Sequence, residues 1–388
     1  MQEPGASGRG ARRDKPRSPL KLLHAFPTFA VGGSQTRFAA LANALGPDFE
    51  HVVVSTDGAH GTERLVQLGV CLRVRAVTMR KGGGLSLSNL RTFRRVLREE
   101  RPDLLLTYNW GAIEWALAAR IRPLCPHLHV VDGFGPEEAL AQLPRRVWLR
   151  RLALSGRTTV VVPSQSLRNV VTEIWRLDPE RVHHIPNGID AAALASQARM
   201  LLGLRRQPDE RLFGTLAGLR PEKNLERLLR IAAMLPETTP WRLVIAGVGG
   251  ERAQLEARAR ALGLAGRVAF IGFVERPGSV LGELDVFVLT SDTEQMPISV
   301  LEAMAVGLPV LATAVGDLRL MLPPASGDAC LFGRDEEPAF AARLAALLAS
   351  PDECRRLGAL NRARAAQFSV EAMVARYDRL VRGLIAAR

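Results

Sequence analysis

The sequence predicts an α/β protein built from two doubly wound parallel-sheet lobes facing each other across a cleft, and three features of the chain predict it. From Leu20 onward, short β-branched or apolar runs alternate with longer amphipathic stretches, the pattern of parallel strands joined by crossover helices. The pattern starts afresh near Leu212, so two sheets are implied rather than one. Between the two series, a run from Pro186 through Asn187, Gly188 and Asp190 into an Ala-rich stretch and Pro208 breaks both periods and reads as a linker. The 388 residues suit two to three domains at ~150 residues each, every one large enough to bury a core.

Taken in order, residues 1–19 form a basic Gly/Arg/Pro/Ser leader, expected to be disordered and lacking the apolar segment of a signal peptide. The first lobe, 20–190, offers strands near Lys21–Ala25, His51–Ser55, Leu72–Ala76, Asp103–Tyr108, His127–Val131 and Thr158–Pro163. Residues 191–209 form the linker. The second lobe, 210–370, offers strands at Leu212–Ala217, Arg242–Ala246, Arg267–Ile271, Asp285–Thr290, Val310–Thr313 and Ala329–Phe332. The terminal segment 371–388 reads as an amphipathic helix free to pack on either lobe, a return to the first lobe included.

Composition excludes several classes. Cys71, Cys125, Cys330 and Cys354 form no CxxC pair, so neither a zinc site nor a disulfide framework is suggested, and reduced thiols of a cytoplasmic protein are expected. No apolar run approaches the ~20 residues of a membrane span, which leaves only a peripheral place at the inner face of a membrane open. Lys+Arg 52 against Asp+Glu 39 leaves a formal charge of +13, yet Lys15, Lys21, Lys81 and Lys223 are the only lysines, so a general arginine bias explains the charge as well as an anionic partner does. Aromatic residues are only 5% and no zinc-finger or RNA-recognition motif occurs, so no nucleic-acid partner is expected.

Candidate chemistry gathers at strand ends, where helix N-termini converge on anionic ligands. Gly32-Gly33-Ser34 follows the first strand and opens a helix, which suits either a phosphate against unhindered backbone N–H groups or a tight turn. Gly247-Val248-Gly249-Gly250 partly imitates a dinucleotide fingerprint, but its third glycine is misplaced and no acidic residue ends the next strand; a turn is preferred, and no cofactor is expected. Lys223, after the turn Gly218-Leu219-Arg220-Pro221, is the only lysine beyond residue 81, and its compact ammonium suits a diphosphate that Arg220 could also reach. In Ser291–Pro309, Pro297 fits the first turn of a helix, leaving Glu294 in the preceding loop and Glu302 one to two turns inside. The amides of Ile298 and Ser299 would then face the cleft. A carboxylate beside such a phosphate site accepts hydrogen bonds from sugar or ribose hydroxyls, although a helix cap plus a surface Glu would read the same way. Asp292 and Glu294 are not expected to bind a metal, because no further acidic residue or histidine lies close and Lys223 could supply the positive charge.

Glu294 and Glu302 with seven residues between them, followed by Ala-Met-Ala and Gly-Leu-Pro-Val, resemble the signature of retaining GT-B glycosyltransferases of family 4. Gly32-Gly33, Pro186-Asn187-Gly188-Ile189-Asp190, Arg220-Pro221-Glu222-Lys223-Asn224, Ile245-Ala246-Gly247 and Phe270-Ile271-Gly272-Phe273 resemble further family segments in order, over essentially residues 20–370. The resemblance implies two Rossmann-like domains, the first on the acceptor side and the second binding a nucleotide-sugar donor near Gly247. It implies that Glu302 binds the ribose, Lys223 the diphosphate, Glu294 the transferred sugar or adjacent phosphate, while Gly32-Gly33 faces the leaving phosphate. It further implies retention of anomeric configuration without a metal, an acceptor that is a glycan or lipid-linked sugar, and a place in bacterial-type exopolysaccharide, lipopolysaccharide or glycolipid assembly. A nucleotide-sugar epimerase or a noncatalytic nucleotide-sugar binder on the same fold are the alternatives.

Two positions depart from that pattern. An arginine common five residues before the lysine is Gly218 here, with Arg220 able to compensate. Where a histidine often follows the fifth strand, this chain has Asp132, which either positions the sugar or takes the acceptor proton, or belongs to an acidic turn without chemistry. Glu138 is a second acidic candidate, and Asn109, Trp110, Glu114 and Trp115 after the fourth strand either line an acceptor groove or belong to the core. Leu143–Leu154 and the helix carrying Arg91, Arg94, Arg95 and Arg98 read as basic amphipathic stretches, suited to an anionic membrane surface or simply to solvent.

Overall fold

The computed structural model describes residues 18–77, 79, 85–138, 141–197, 207, 209–237 and 240–387. Most of the basic leader, Lys81 and the linker positions 198–206 and 208 lie outside them.

Two parallel sheets form the protein. The first contains β1 (Leu20–Phe26), β2 (Phe49–Ser55), β3 (Cys71–Val74), β4 (Leu104–Tyr108), β5 (His127–Val130), β6 (Thr159–Val162) and β7 (Val182–His184), in the order β3-β2-β1-β4-β5-β6-β7. The second contains β8 (Arg211–Leu216), β9 (Trp241–Ala246), β10 (Val268–Gly272), β11 (Val286–Leu289), β12 (Val310–Thr313) and β13 (Leu331–Phe332), in the order β10-β9-β8-β11-β12-β13. In each sheet the order reverses beside the first strand of that lobe, which opens a crevice at the strand C-termini. β4, β5, β6, β11 and β12 are buried throughout, as strands covered by helices on both faces must be. Twelve of the thirteen strands among the described residues were legible as apolar runs; β7 was not, because it is three residues long and two of them are His183 and His184.

Histidines inside the first sheet are accommodated by pairing. His24 Nδ1 lies 3.0 Å from the Tyr108 hydroxyl and His24 Nε2 lies 3.1 Å from His51 Nδ1, while the Thr107 hydroxyl sits 2.8 Å from His127 and 2.7 Å from His129. Burial pushes His51 down to about 4 and His127 down to about 3, so neither ring carries charge near neutrality.

The chain crosses between the lobes twice, side by side. Ile189 N donates to Phe368 O at 2.9 Å and Val370 N donates to Ile189 O at 3.1 Å. A Cβ on Gly188 would stand 2.3 Å from Ser369 O, so the two crossings press together as no larger residue would allow. The final helix, Val370–Ala386, then packs Met373, Tyr377 and Val381 into the core of the first lobe. Each such buried side chain contributes ~1.5–3 kcal/mol.

Side chains also bind the lobes directly. The Asp317 carboxylate accepts from Gln165 N at 2.6 Å, Ser166 N at 2.9 Å and the Ser166 hydroxyl at 2.5 Å. The Ser164 hydroxyl donates to Gln295 Oε1 at 3.0 Å, and Asn187 Nδ2 donates to Met296 O at 2.8 Å. Elsewhere on the interface, the Arg64 guanidinium lies 4.7 Å from the ring centre of Phe273. Among the described residues, no helix is long and apolar enough to cross a membrane.

Candidate functional site

In the second lobe two loops at strand ends are zipped together. After β8, Pro221–Lys223 form a single 3-10 turn and Asn224 takes a left-handed conformation (φ 43°), from which its side-chain oxygen caps the helix Leu225–Ala233 by accepting from Arg227 N. Asn224 Nδ2 also donates to Asp292 Oδ2 at 2.9 Å, Arg227 Nη1 donates to Asp292 Oδ1 at 2.7 Å, and Asp292 N donates to Glu222 O at 2.9 Å. Asp292 is thereby occupied as the clasp between the loops. Among the described residues, no group of three His, Cys, Asp or Glu is arranged to hold a metal ion.

This clasp brings Lys223 to Glu294. The ammonium lies 2.5 Å from Glu294 Oε1, which also accepts from the Ser291 hydroxyl at 2.8 Å. A Cβ on Gly316 would stand 2.3 Å from Glu294 O, and Asp317 N donates to Gln295 O at 2.9 Å, so the β12 loop sets the backbone of the Glu294 segment. Beside Lys223, Arg220 is exposed and pairs with Glu222 at 3.1 Å, and its Nε would lie 3.2 Å from a Cβ on Gly218. Arg220 therefore covers the ground that a side chain at 218 would occupy.

Pro297 precedes the helix Ile298–Val306 as its N-cap, one position before the first turn, with an extended ψ of 123°. Its first amides, on Ile298 and Ser299, have no partner within the helix and form its positive end. Gly307 closes the helix in a left-handed conformation (φ 84°). Glu302, half-buried on the same helix, has no hydrogen-bond or ion-pair partner among the described residues, and burial raises its carboxyl to about 8. Its carboxyl is therefore mostly protonated near neutrality and has hydrogen-bonding capacity that no described residue uses. Gly247, at φ 148°, lets β9 abut β8: a Cβ there would stand 1.8 Å from Ala217 O. Gly247 N donates to Gly272 O at 2.7 Å, so this glycine joins the ends of β8, β9 and β10.

In the first lobe Gly32 is the N-cap of the helix Gly33–Leu45, and a Cβ on Gly33 would meet nothing within 4 Å, which leaves this helix end open. Asn109, left-handed at φ 55°, accepts from Asp132 N at 2.7 Å and donates to Ser34 Oγ at 3.4 Å, tying the three strand-end loops together. Asp132 forms an ion pair with Arg37, a residue that sequence reasoning passed over. Trp110 is half-buried, with the Arg146 and Arg150 guanidinium groups 4.8 and 5.0 Å from its ring centre. The carboxylate of Glu138 is spent inside the lobe: it accepts from Arg150 at 2.6 and 2.8 Å, from Arg146 at 3.1 Å and from Leu143 N at 3.2 Å. Trp115 is fully buried and stacked on Phe93, and Glu114 holds Ser86 N and Asn89, so both belong to the core rather than to a groove. A cavity of about 390 Å³ between the lobes is lined by Phe134, Gln142 and Ser166 on one side and Thr293, Glu294 and Arg334 on the other.

The basic helices are less cationic outside than their sequences suggest. In Pro144–Leu154, Arg146 and Arg150 serve Glu138, and Arg151 bonds Ile174 O and Trp175 O. Trp148, Leu152 and Arg145 remain exposed. In Leu87–Glu100, Arg94 is spent on Ala118 O and Arg122 O.

Gly316 and Asp317 join the site without having been singled out. A glycine and an acidic residue just after a strand are the only sequence signal that could have pointed to them.

Comparison with known proteins agrees with this architecture. Residues 31–193 match the family described as glycosyltransferase family 4, and residues 203–364 match glycosyl transferases group 1. The chain is 30% identical over 300 residues to the D-inositol 3-phosphate glycosyltransferase of Thermomonospora curvata, covering 68% of this chain and 67% of that one. It is 28% identical over 292 residues to the GDP-mannose-dependent alpha-mannosyltransferase of Mycobacterium tuberculosis, covering 71% and 73%. Anabaena HepE, solved in complex with UDP-glucose, superposes with a TM-score of 0.78 at 18% identity, over 95% of this chain and 100% of that one. With both lobes matched and the two facing sheets in place, the chain belongs to glycosyltransferase family 4 and is a glycosyltransferase of the GT-B fold.

Proposed function

We propose that this glycosyltransferase moves a sugar, with retention and without a metal, from a nucleoside-diphosphate sugar to a hydroxyl of a glycan or lipid-linked acceptor in bacterial-type polysaccharide or glycolipid assembly. One observation carries the reading: Lys223 and Glu294 meet on two loops clasped through Asp292, and the second loop leads straight into the helix whose N-terminal amides and Glu302 follow it. Lys223 and the amides of Ile298 and Ser299 suit a diphosphate, Glu302 the ribose hydroxyls, and Glu294 the transferred sugar. Arg220 stands in reserve for the phosphates, and the open helix end at Gly32-Gly33 suits the leaving phosphate from the other lobe.

In such a reaction the anomeric C–O bond to the phosphate breaks, and the diphosphate leaves with the bonding pair. Lys223 and the helix amides carry the growing negative charge, a contribution of the kind whose loss costs ~10²–10³ in rate. The acceptor oxygen bonds the anomeric carbon on the face the phosphate vacates, and its proton departs with the phosphate. Asp132, paired with Arg37, positions the sugar, while Asn109 and Trp110 flank the acceptor side. The mannosyltransferase relative depends on GDP-mannose and HepE was solved with UDP-glucose, which supports a nucleotide sugar without choosing between bases.

The test is thermal stability against UDP, GDP, ADP, dTDP, CMP and NAD, each with and without EDTA. A ligand at ~100 times its dissociation constant adds ~2.7 kcal/mol. Selective stabilisation by one nucleoside diphosphate, insensitive to EDTA, is expected and names the donor base; the anomeric configuration of the product made from that donor then tests retention. Stabilisation by NAD alone, or an EDTA-sensitive shift, would overturn the reading.

A further inference from the structure

We propose that Arg37 is a positioning residue: it holds Asp132 on the first lobe and, through Asn187, the Glu294–Met296 loop of the second, so that the two halves of the site face each other in one arrangement. The inference rests on the reading of the site given above. Arg37 sits on the helix that begins at Gly33, and only 4% of it is exposed. Its Nη1 contacts the Asp132 carboxylate and donates to Asn187 Oδ1 at 3.1 Å. Asn187 lies on the strap between the lobes; its Nδ2 donates to Met296 O at 2.8 Å, and its backbone N lies 3.2 Å from Met296 Sδ. Met296 is two residues from Glu294. One guanidinium thus connects the glycine-loop helix, the Asp132 loop, the strap and the donor loop.

Stability alone is a poor account of this cluster. A buried ion pair gains little over apolar side chains of the same volume, because desolvation offsets the attraction. The cluster is also not fully satisfied: among the described residues, Arg37 Nη2, Asp132 Oδ2 and the nearby Tyr377 hydroxyl on the returning helix are buried without a hydrogen-bond partner, while Asp132 Oδ1 is held by Arg37. A half-satisfied polar network is costly in a core. Its value here lies in geometry, since the charge fixes the direction of four elements where apolar packing would let them slide.

Three variants test this: Arg37→Gln, Arg37→Lys and Asn187→Ala, the last of which leaves the Arg37–Asp132 pair intact. Turnover is measured at a temperature where circular dichroism shows each variant folded, beside calorimetric binding of the nucleoside diphosphate and small-angle scattering. For Arg37→Gln and Asn187→Ala, kcat should fall by about 10–100-fold, the cost of a misplaced reacting group, with nucleoside-diphosphate affinity changed less than about threefold. Arg37→Lys should recover part of kcat by restoring the charge without the forked reach. Folded variants with wild-type kcat would overturn the proposal. Glu294→Gln separates its failure from failure of the site reading: unchanged transfer in that variant would sink the reading. In that event scattering decides on Arg37, a more open envelope for Arg37→Gln and Asn187→Ala supporting the latch and an unchanged one refuting it.

Discussion

The Lys223 ammonium and the Glu294 carboxylate stand 2.5 Å apart, on loops that are separated by 71 positions in the chain and clasped through Asp292. The ion pair holds the lysine ready and must share it once a diphosphate arrives. Lys223→Ala should therefore lower kcat about 10²–10³-fold through lost charge stabilisation. Lys223→Arg should not restore it fully, because the planar fork does not fit a site shaped for a point charge. Steady-state transfer from the donor identified by stabilisation checks both.

Glu302 couples nucleotide binding to protons. Its folded value of about 8 lies above the unfolded value of 4.5, so the folded protein holds more protons between these limits and loses stability as pH rises through them. The slope is at most about 1.4 kcal/mol per pH unit, and Glu302→Gln should flatten it. Ribose hydroxyls favour the carboxylate, so nucleoside-diphosphate binding at pH 7 should release a proton. Calorimetry in buffers of differing ionisation enthalpy should read up to one proton in the parent and none in Glu302→Gln.

Acid should act in the opposite sense through the first lobe. His51 and His127, held at about 4 and about 3 by burial, bind protons more readily unfolded than folded. Their contribution is complete above the ordinary value of 6.5 and is lost as pH falls through 6.5 toward the folded values. In the Glu302→Gln background, where the opposing carboxyl is absent, the melting temperature should drop steadily from pH 6.5 to 4.5.

Asp317 accepts three hydrogen bonds from Gln165 and Ser166 on the opposite lobe. Asp317→Ala should leave those two amides and a hydroxyl without their partner, costing about 1–3 kcal/mol and opening the interface. Scattering should show a larger radius of gyration, and kcat should fall while nucleotide affinity holds. A compact variant with full turnover would argue that the lobes are held elsewhere.

The exposed Trp148 and Leu152, beside Arg145, form the part of helix Pro144–Leu154 that could meet a lipid surface. Sedimentation with anionic vesicles should be lost on Trp148→Ser. A parent protein that stays in the supernatant would count against a lipid-facing role for this helix.

Much of this protein is decided locally. Alternating apolar runs and turn residues dictate the strands, because a parallel strand buried on both faces must be continuously hydrophobic; the pair Glu294 and Glu302 is legible because a loop and the helix that follows it are neighbours in sequence. Lys223 stood out by being a lysine among arginines. What tertiary structure alone decided is which polar groups are spent and which are free. Glu138 and Asp292 look as available in the sequence as Glu302, yet folding gives each of them arginine partners from other elements and leaves Glu302 with none among the described residues. Arg37, Asn187 and Asp317 gain their importance from contacts across 150 positions or more of chain or across the cleft. No local propensity reports such contacts: hydrogen bonds between distant segments exist only once hydrophobic burial has brought the two lobes face to face.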